Sequence, residues 1–234
     1  MSEVPEYSYV GSELELFIEA TNWKNYWAGR VRPYVHGKVL DVGAGLGATF
    51  DYLNEAADSW ICLEPDAEMC RKLERRLATH PRAPRVRCGT TADLSSEERF
   101  DTIVYIDVLE HIEHDRAEVA AVAERLNPGG SLIVLSPAFQ FLFSPFDHSV
   151  GHFRRYTKSS LQRVTPPGLR VQTAFFLDGL GVLASLFARL AKRSAPTRTQ
   201  VGVWDKTIVP VSRLTDALTS RWFGRSIVMV WSKT

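Results

Sequence analysis

Residues 39–47 read Val39-Leu40-Asp41-Val42-Gly43-Ala44-Gly45-Leu46-Gly47, an apolar run that stops at three alternating glycines. The run predicts a short buried strand, and the glycines predict a tight turn. Glycine lacks a Cβ and tolerates positive φ, so the backbone of such a turn can approach a ligand closely. If a helix follows, its free N–H groups face the same point. The stretch therefore predicts a strand, a binding turn and a helix in succession.

Strands and helices continue to alternate after this turn, up to residue 137. The pattern predicts strands at 60–63, 85–88, 100–106 and 131–135, and helices at 66–79 and around 115–126. Asp66 is the expected N-cap of the first of these helices, and residues 127–130, Asn-Pro-Gly-Gly, are an expected turn. Strands that alternate with helices of this length imply βαβ units and a mostly parallel sheet.

The alternation breaks after Pro137. Residues 138–160 are rich in aromatic residues, His and Arg, and they have no clear period. Beyond them the pattern predicts a sixth strand at 169–176, helices at 180–193 and 211–222, a loop at 194–208 and a final strand at 226–231. Before the glycine turn, residues 12–35 have helical periodicity with many aromatic residues. The segment of alternating strands and helices is thus preceded by a helical segment and followed by one that has no clear period.

We therefore predict an α/β fold that is Rossmann-like. Its seven-stranded sheet is mostly parallel, with an antiparallel last strand, an N-terminal helical cap and an acceptor-side insert. No interdomain linker is visible, so residues 1–234 are expected to form one domain. Its expected parts are a cap at 1–35, a cofactor-binding core at 36–137, an acceptor insert at 138–168 and a C-terminal part of sheet and helices at 169–234.

Composition limits the class of protein. Of the 234 residues, 45% are hydrophobic and 24% are charged, which suits a folded globular chain and opposes a disordered one. The 28 Lys and Arg residues nearly balance the 27 Asp and Glu residues, so the formal net charge is +1. A general electrostatic attraction to nucleic acid is therefore missing. We expect no nucleic-acid partner.

Sequence features also indicate where the protein works. Three cysteines without CxxC spacing predict neither a disulfide framework nor a zinc site, which fits a reducing cytosol. The N-terminus lacks the apolar segment of a signal peptide. The longest apolar stretch, 175–191, is interrupted by Asp178 and Arg189, whereas a spanning helix needs about 20 nearly uncharged residues. We expect a cytoplasmic protein without a transmembrane segment.

An acidic residue follows the next predicted strand. Glu64 ends that strand, and a carboxylate at this place can accept hydrogen bonds from both hydroxyls of a ribose. The glycine turn and Glu64 together predict a nucleoside ligand. Gly43, Gly45 and Ala48 also match the dinucleotide fingerprint, which leaves NAD as an alternative. Two features oppose NAD. The anion of Asp41 would repel a pyrophosphate, and the antiparallel last strand that the sequence predicts does not suit a nicotinamide-binding fold.

A wider pattern is carried by five segments: VLDVGAGLGATF at 39–50, LEPD at 63–66, GTTAD at 89–93, FDTIVYIDVLEHIEHD at 100–115 and LNPGGSLIVLSP at 126–137. In these segments, over about residues 35–137, the chain resembles the class I S-adenosylmethionine-dependent methyltransferases. The resemblance implies S-adenosylmethionine as cofactor. One departure is Thr90, where many relatives have an acid that holds the adenine amino group.

The resemblance implies a role for each residue of the cofactor site. Gly43, Ala44, Gly45 and Gly47 would line the methionine part, with Asp41 supporting the loop or the cofactor's ammonium group. Glu64 and Pro65 would lie at the ribose, Thr90 and Thr91 would flank the adenine, and Asp107 and Val108 would face the methionine side.

The insert contains the first candidate acceptor residues. Residues 139–156 read FQFLFSPFDHSVGHFRRY and follow the fifth strand, at the edge where ligands bind in parallel sheets. His148 and His152 are candidate bases for an acceptor proton. Arg154 and Arg155, next to Tyr156, are candidate clamps for a carboxylate or phosphate. The alternative is that Asp147 and these arginines pair with each other or with acids of the fold. The stretch resembles one in a subset of bacterial small-molecule methyltransferases.

A third group follows the fourth strand. Asp107, Glu110 and His111 would share one face of a helix. The group resembles the E-x-x-E-H segment of ubiquinone-pathway O-methyltransferases, with Asp in the first position, so a divalent metal is an alternative. We favour a hydrogen-bonded helix start, with His111 as an acid or base, and predict no metal.

Two further segments are candidates for contact with the acceptor. Trp23 and Tyr26 in the N-terminal segment carry polar tips and are candidate substrate contacts, although core packing explains them as well. Residues 175–193 predict a buried helix, with an apolar lid or a contact with a membrane surface as alternatives.

The sequence thus predicts an enzyme that transfers a methyl group from S-adenosylmethionine to a small-molecule acceptor. O-methylation of a hydroxyl or carboxylate in a biosynthetic pathway is the leading prediction. The alternatives are N-methylation of a small amine and methylation of a lipid or glycan. In a different class of protein, the chain would be a module that binds S-adenosylmethionine without catalysis. The sequence does not indicate an oligomeric state.

Overall fold

The computed structural model describes residues 16–190, 196–219 and 221–234. Seven strands form one sheet in the order β3-β2-β1-β4-β5-β7-β6. Their bounds are β1 Lys38–Val42, β2 Ser59–Glu64, β3 Arg85–Cys88, β4 Phe100–Ile106, β5 Leu126–Pro137, β6 Leu169–Leu177 and β7 Ser226–Lys233. Strands β1 to β5 pair in parallel, whereas β7 pairs antiparallel with both β5 and β6. The predicted fold class is therefore confirmed.

Helices connect these strands on both sides of the sheet. In the described part of the chain they are α1 Thr21–Val31, α2 Ala48–Leu53, α3 Ala67–Leu77, α4 Asp115–Ala123, α5 Pro145–Ser149, α6 Lys158–Arg163, α7 Gly181–Leu190, α8 Arg198–Val203 and α9 Val209–Leu218. Asp66 caps α3 as predicted, because its Oδ1 accepts from the backbone N–H groups of Glu68 and Met69, both at 2.8 Å. None of the described helices is long and apolar enough to cross a membrane.

The core lies on both faces of the sheet. Val39 in β1 belongs to one buried cluster and Leu40 to the other, because successive side chains of a strand point to opposite faces. Burial on both faces explains the nearly continuous apolar runs of the central strands. The aromatic residues of α1 join the first cluster, where Trp23 and Trp204 pack with ring centroids 5.7 Å apart. The N-terminal segment thus packs against a C-terminal one.

Four sequence predictions differ from the structure or extend beyond the described residues. The loop predicted at 194–208 is wrong from residue 198 onward, because α8 continues through a π-helical turn, Trp204–Ile208, into α9. Residues 194–195 lie outside the described residues, as do residues 12–15 of the N-terminal helical prediction and 191–193 of the later helix. The turn predicted at 127–130 is instead part of β5, where its pairing with β4 shifts register.

Candidate cofactor and acceptor site

A cavity of about 1030 Å³ opens at the carboxyl edge of the parallel strands. Its wall runs from the glycine turn after β1 and Glu64 at the end of β2 to His152 in the insert and Arg225 before β7. Small-molecule sites typically measure about 300–1,000 Å³. The cavity is therefore large enough for a nucleoside-sized ligand and a second small molecule side by side.

The glycine turn is built so that only glycine fits. Gly43, Gly45 and Gly47 all have positive φ, at 66°, 54° and 81°. A Cβ on Gly43 would lie 2.7 Å from a methyl carbon of Val108, and one on Gly47 would lie 2.6 Å from a methyl carbon of Leu73. The turn therefore presents bare backbone to the cavity, as the sequence predicts.

Glu64 links the glycine turn to the next strand end. Its Oε2 accepts from the backbone N–H of Gly45 at 2.8 Å, and its Oε1 accepts from the N–H of Asp66 at 3.0 Å. The residue is buried, and burial raises the pKa of its carboxyl group. Each carboxylate oxygen can accept more than one hydrogen bond. Because Glu64 also lines the cavity, its oxygens remain able to accept from a ligand's hydroxyl groups.

Asp41 lies behind the turn rather than in the cavity wall. Its side chain is buried, and burial raises its pKa to about 8. The indole of Trp60 lies nearby, but no hydrogen bond of ordinary geometry joins the two, and Asp41 Oδ2 has no partner among the described residues. This placement does not support a direct contact with the cofactor's ammonium group. It leaves the support of the turn as the expected role.

Thr90 and Thr91 lie at the other end of the cofactor side, where Pro65 also lines the cavity. The Thr90 hydroxyl donates to Asp93 at 3.0 Å, and the Thr91 hydroxyl donates to Glu118 at 2.9 Å. Both hydroxyl hydrogens are thus used within the protein. Glu118 also lines the cavity, so an acid is present at this end although Thr90 replaces the usual one. Nothing in its local sequence indicated this.

Asp107 follows β4 in a left-handed conformation, with φ of 54°. Its backbone N–H donates to the carbonyl of Leu135 at 2.8 Å, which holds the turn at the strand end. Its side chain is accessible from the cavity but surrounded by protein, and burial raises its pKa to about 6 although His152 and Arg225 oppose the shift. Val108 lines the cavity next to it. Their expected contact with the methionine part of the cofactor stays a prediction.

A cluster of Glu110, His111 and His152 forms where the β4 turn meets the insert. The two imidazole rings meet edge to face with centroids 4.6 Å apart, and one ligand atom of each residue lies within 4.8 Å of the others. Burial raises the pKa of Glu110 well above its usual range and lowers that of His111 to about 4. His111 is therefore neutral at pH 7, and burial favours the protonated form of Glu110. These three residues could hold a metal ion, and the prediction of no metal stays a prediction.

Asp147 anchors the insert beneath this cluster. Arg155 donates to it from Nε at 2.8 Å and from a terminal nitrogen at 2.9 Å, while His152 Nδ1 lies 2.9 Å from its Oδ1. Burial alone would raise the pKa of Asp147, but these hydrogen bonds hold it well below its ordinary value. An ionised Asp147 accepts the Nδ1 hydrogen of His152. In the neutral imidazole, Nε2 is then the acceptor.

Arg154, Tyr156 and His148 do not line the cavity. Arg154 pairs with Asp115 at 2.7 Å, and the buried Tyr156 donates to the same carboxylate at 2.7 Å. His148 is exposed on the other side of α5 from the cavity wall. The expected substrate contacts of Arg154 and Tyr156, and the expected catalysis by His148, are not supported by these placements. Both arginines of the insert pair with acids, as the alternative interpretation expects.

The two aromatic candidates of α1 also differ in their placement. Trp23 lines the cavity. Tyr26 is buried, and its hydroxyl donates to Asp216 at 2.8 Å within the core. Its role is therefore to tie α1 to α9 instead of contacting an acceptor. Arg225, which also lines the cavity, was not predicted from the sequence. Its position before the last strand carried no motif.

Comparisons with known proteins bear on this geometry. A family profile described as a methyltransferase domain matches residues 40–132. A ubiquinone biosynthesis O-methyltransferase from Bradyrhizobium sp. (strain ORS 278) is 25% identical over 97 residues, which are 42% of this chain and 38% of that protein. The match thus spans well under half the length of this curated relative.

Solved structures match over much more of the chain. An S-adenosylmethionine-dependent methyltransferase from Clostridium acetobutylicum ATCC 824 aligns with a TM-score of 0.58 at 12% identity and covers 94% of both chains. Coclaurine N-methyltransferase, bound to N-methylheliamine and SAH, aligns with a TM-score of 0.60 at 13% identity and covers 92% of this chain and 72% of that one. Residues 40–132 thus match a methyltransferase domain, and the chain has the fold of solved S-adenosylmethionine-dependent methyltransferases. The predicted resemblance is confirmed.

Proposed function

We propose that this chain transfers a methyl group from S-adenosylmethionine to a hydroxyl group of a small molecule. The observation that carries the proposal is the single cavity, which joins the glycine turn and Glu64 to the His152–Asp147 pair. The Bradyrhizobium relative is named an O-methyltransferase, which supports an oxygen acceptor. Coclaurine N-methyltransferase was solved with SAH, which supports the cofactor.

The residues at the cofactor end fit S-adenosylmethionine. Gly43 and Gly47 in the turn have no room for side chains, and the carboxylate of Glu64 can accept from the ribose hydroxyls. Asp107, once ionised, would attract the cationic methionine end. When bound, the cofactor supplies a methyl carbon that bonds to the acceptor oxygen, while the electron pair of the broken bond stays on sulfur. The protein mainly positions the reactants and excludes water.

His152 is the proposed general base. Its Nδ1 hydrogen is held by Asp147, so Nε2 is free to accept the hydroxyl proton. Asp147 keeps its charge because Arg155 also donates to it, and that charge stabilises the imidazolium that results. His111 packs against the same ring and is neutral at pH 7. It lines the wall without adding a positive charge that would oppose protonation of His152.

The base favours a hydroxyl over the alternatives. A neutral amine attacks through its lone pair and loses its proton only afterwards, so an oriented base contributes less to N-methylation. A carboxylate acceptor is already ionised and needs no base. A module that only binds the cofactor needs neither an oriented histidine nor a cavity that extends beyond the cofactor.

The cofactor assignment is tested by calorimetry with S-adenosylhomocysteine and NAD. We expect the wild type to bind S-adenosylhomocysteine and not NAD. Glu64→Ala should weaken binding, because it removes two charge-assisted hydrogen bonds of about 1.5–3 kcal/mol each. Glu68→Ala is a matched control, since Glu68 is exposed on α3. A preference of the wild type for NAD would contradict the proposal.

A further inference from the structure

Arg225 lies in the cavity wall, and the proposed reaction assigns it no role. It directly precedes β7, and its carbonyl accepts from the N–H of Ala138 at 2.7 Å, which fixes its backbone against the end of β5. Its guanidinium stacks 4.2 Å from the ring centroid of Trp204. Its Nε lies 3.6 Å from Oδ2 of Asp178, too far for a hydrogen bond. The side chain is thus positioned from two sides.

Asp178 forms an ion pair with Arg225 but accepts no hydrogen bond from the side-chain N–H groups of Arg225. Its Oδ1 accepts from the Ser212 hydroxyl at 2.7 Å and from the N–H of Gly181 at 3.1 Å, and its Oδ2 accepts from the Trp204 indole at 2.8 Å. The buried carboxylate thus accepts three hydrogen bonds, and none of them comes from Arg225. Within the described residues, the side-chain N–H groups of Arg225 donate no hydrogen bond to the protein.

The other arginines of the cavity wall differ in this respect. Arg76 donates to Asp51 and to the carbonyl of Gly47. Arg155 donates twice to Asp147. Among the described residues that line the cavity, Arg225 is thus the arginine with a free planar donor fork. Such a fork matches the two oxygens of a carboxylate.

We propose that Arg225 binds a carboxylate of the methyl acceptor, which makes the acceptor a hydroxy acid. This inference rests on the proposed function, since it names the substrate class of the same site. A carboxylate suits the place because the guanidinium stays protonated and its N–H groups donate no hydrogen bond to the described residues. The walls supplied by Leu142, Phe146 and Phe187 are apolar and suit a hydrocarbon body between the two polar ends of the acceptor.

The carboxylate site and the base lie at the same end of the cavity. Arg225 is close enough to Asp107 and Asp147 to interact with both electrostatically, and Asp107 interacts likewise with His152. One small acceptor can therefore reach Arg225 with its carboxylate while its hydroxyl faces His152. Asp107, which we assign to the methionine end of the cofactor, borders this group, whereas the interactions named here do not involve the glycine turn or Glu64.

The test uses the full chain saturated with S-adenosylhomocysteine and two probes, 3,4-dihydroxybenzoate and its neutral isostere 3,4-dihydroxybenzamide. We expect the wild type to bind the acid about 10- to 100-fold more tightly than the amide, the ratio that one charge-assisted contact supplies. Arg225→Gln should remove this preference, and Arg225→Lys should keep part of it. Arg213→Gln, an exposed charge removal on α9, should behave as the wild type.

The outcomes separate this inference from the proposed function. If S-adenosylhomocysteine fails to bind the wild type, the proposed function itself is wrong. If it binds, equal affinity for acid and amide, or no binding of the acid at millimolar concentration, overturns the role of Arg225. If Arg225→Gln weakens S-adenosylhomocysteine instead, Arg225 holds the cofactor's own carboxylate and the inference is again overturned. Retained S-adenosylhomocysteine binding by Arg225→Gln shows that its loss of the preference is not loss of the fold.

Discussion

At the scale of single residues, His148 and His152 have different environments although they are only four positions apart. His152 lines the cavity and contacts Asp147, whereas His148 is exposed. We expect His152→Ala to lower kcat by about 10²–10⁴-fold, the usual contribution of a general base, with partial recovery at high pH. His148→Ala should leave kcat unchanged. Steady-state rates and S-adenosylhomocysteine affinity would be measured together, and equal rates for both variants would argue against a base in the insert.

Asp147 links catalysis to stability at the same scale. Because its pKa is lower in the folded than in the unfolded protein, its contribution is fully present above its unfolded pKa of about 3.9 and is lost as pH falls towards the folded pKa. Asp147→Asn leaves Arg155 with a neutral partner and should cost about 3 kcal/mol in the free energy of unfolding at pH 7. Urea unfolding at pH 7, 5 and 3.5 would measure this.

The difference between wild type and Asp147→Asn should persist at pH 5 and shrink below pH 4. Asp58→Asn is the control, because Asp58 is exposed and its side chain makes no hydrogen bond or ion pair with the described residues. A difference that stays constant down to the most acidic pH would mean that the charge of Asp147 is not what stabilises the insert.

At the scale of elements, the start of α1 depends on a residue far along the chain. Ala20 supplies no side-chain cap, and Asp205 instead accepts from the N–H of Asn22 at 3.2 Å and from that of Trp23 at 2.8 Å. We expect Asp205→Ala to lower the free energy of unfolding by about 1–2 kcal/mol, the range of a lost helix cap. Urea unfolding would measure it, with Asp58→Ala as the control. An unchanged midpoint would show that this cap contributes nothing.

This cap also explains one failure of the sequence analysis. Local patterns predict a loop at 194–208, yet Trp204 and Asp205 point into the core and make contacts with α1 that hold the segment helical. Contacts between residues so far apart in sequence leave no local signal. In contrast, β1, β2 and β4 were predictable because buried parallel strands are short apolar runs, and the glycine turn was predictable because only glycine fits there.

The acceptor site was harder to predict for a related reason. Arg154 and Arg155 are neighbours in sequence, but they point in different directions and bind different acids. Their types and spacing could not indicate which one faces the cavity. Arg225 carries no motif, and its availability follows from the hydrogen bonds that other residues make to Asp178. Such information is present only once the chain is folded.

At the scale of the whole molecule, the cavity is lined by the N-terminal cap, the central core, the insert and the C-terminal part. If the chain is one domain, as the sequence predicts, a ligand should stabilise all four parts together. We expect a single thermal transition that moves to higher temperature with S-adenosylhomocysteine. Ligand at 100 times Kd adds about 2.7 kcal/mol to the free energy of unfolding. Calorimetric scanning would measure it. Two transitions of which only one moves would show separate folding units.

The position of β7 has a consequence for how the molecule is made. It lies between β5 and β6, although it is translated after both of them. Until the ribosome has released it, the five parallel strands can pair, but β5 keeps an open edge and β6 has no neighbour. Arg225 reaches the cavity with this strand. A nascent chain could therefore assemble its glycine turn well before the wall that we assign to the acceptor's carboxylate exists.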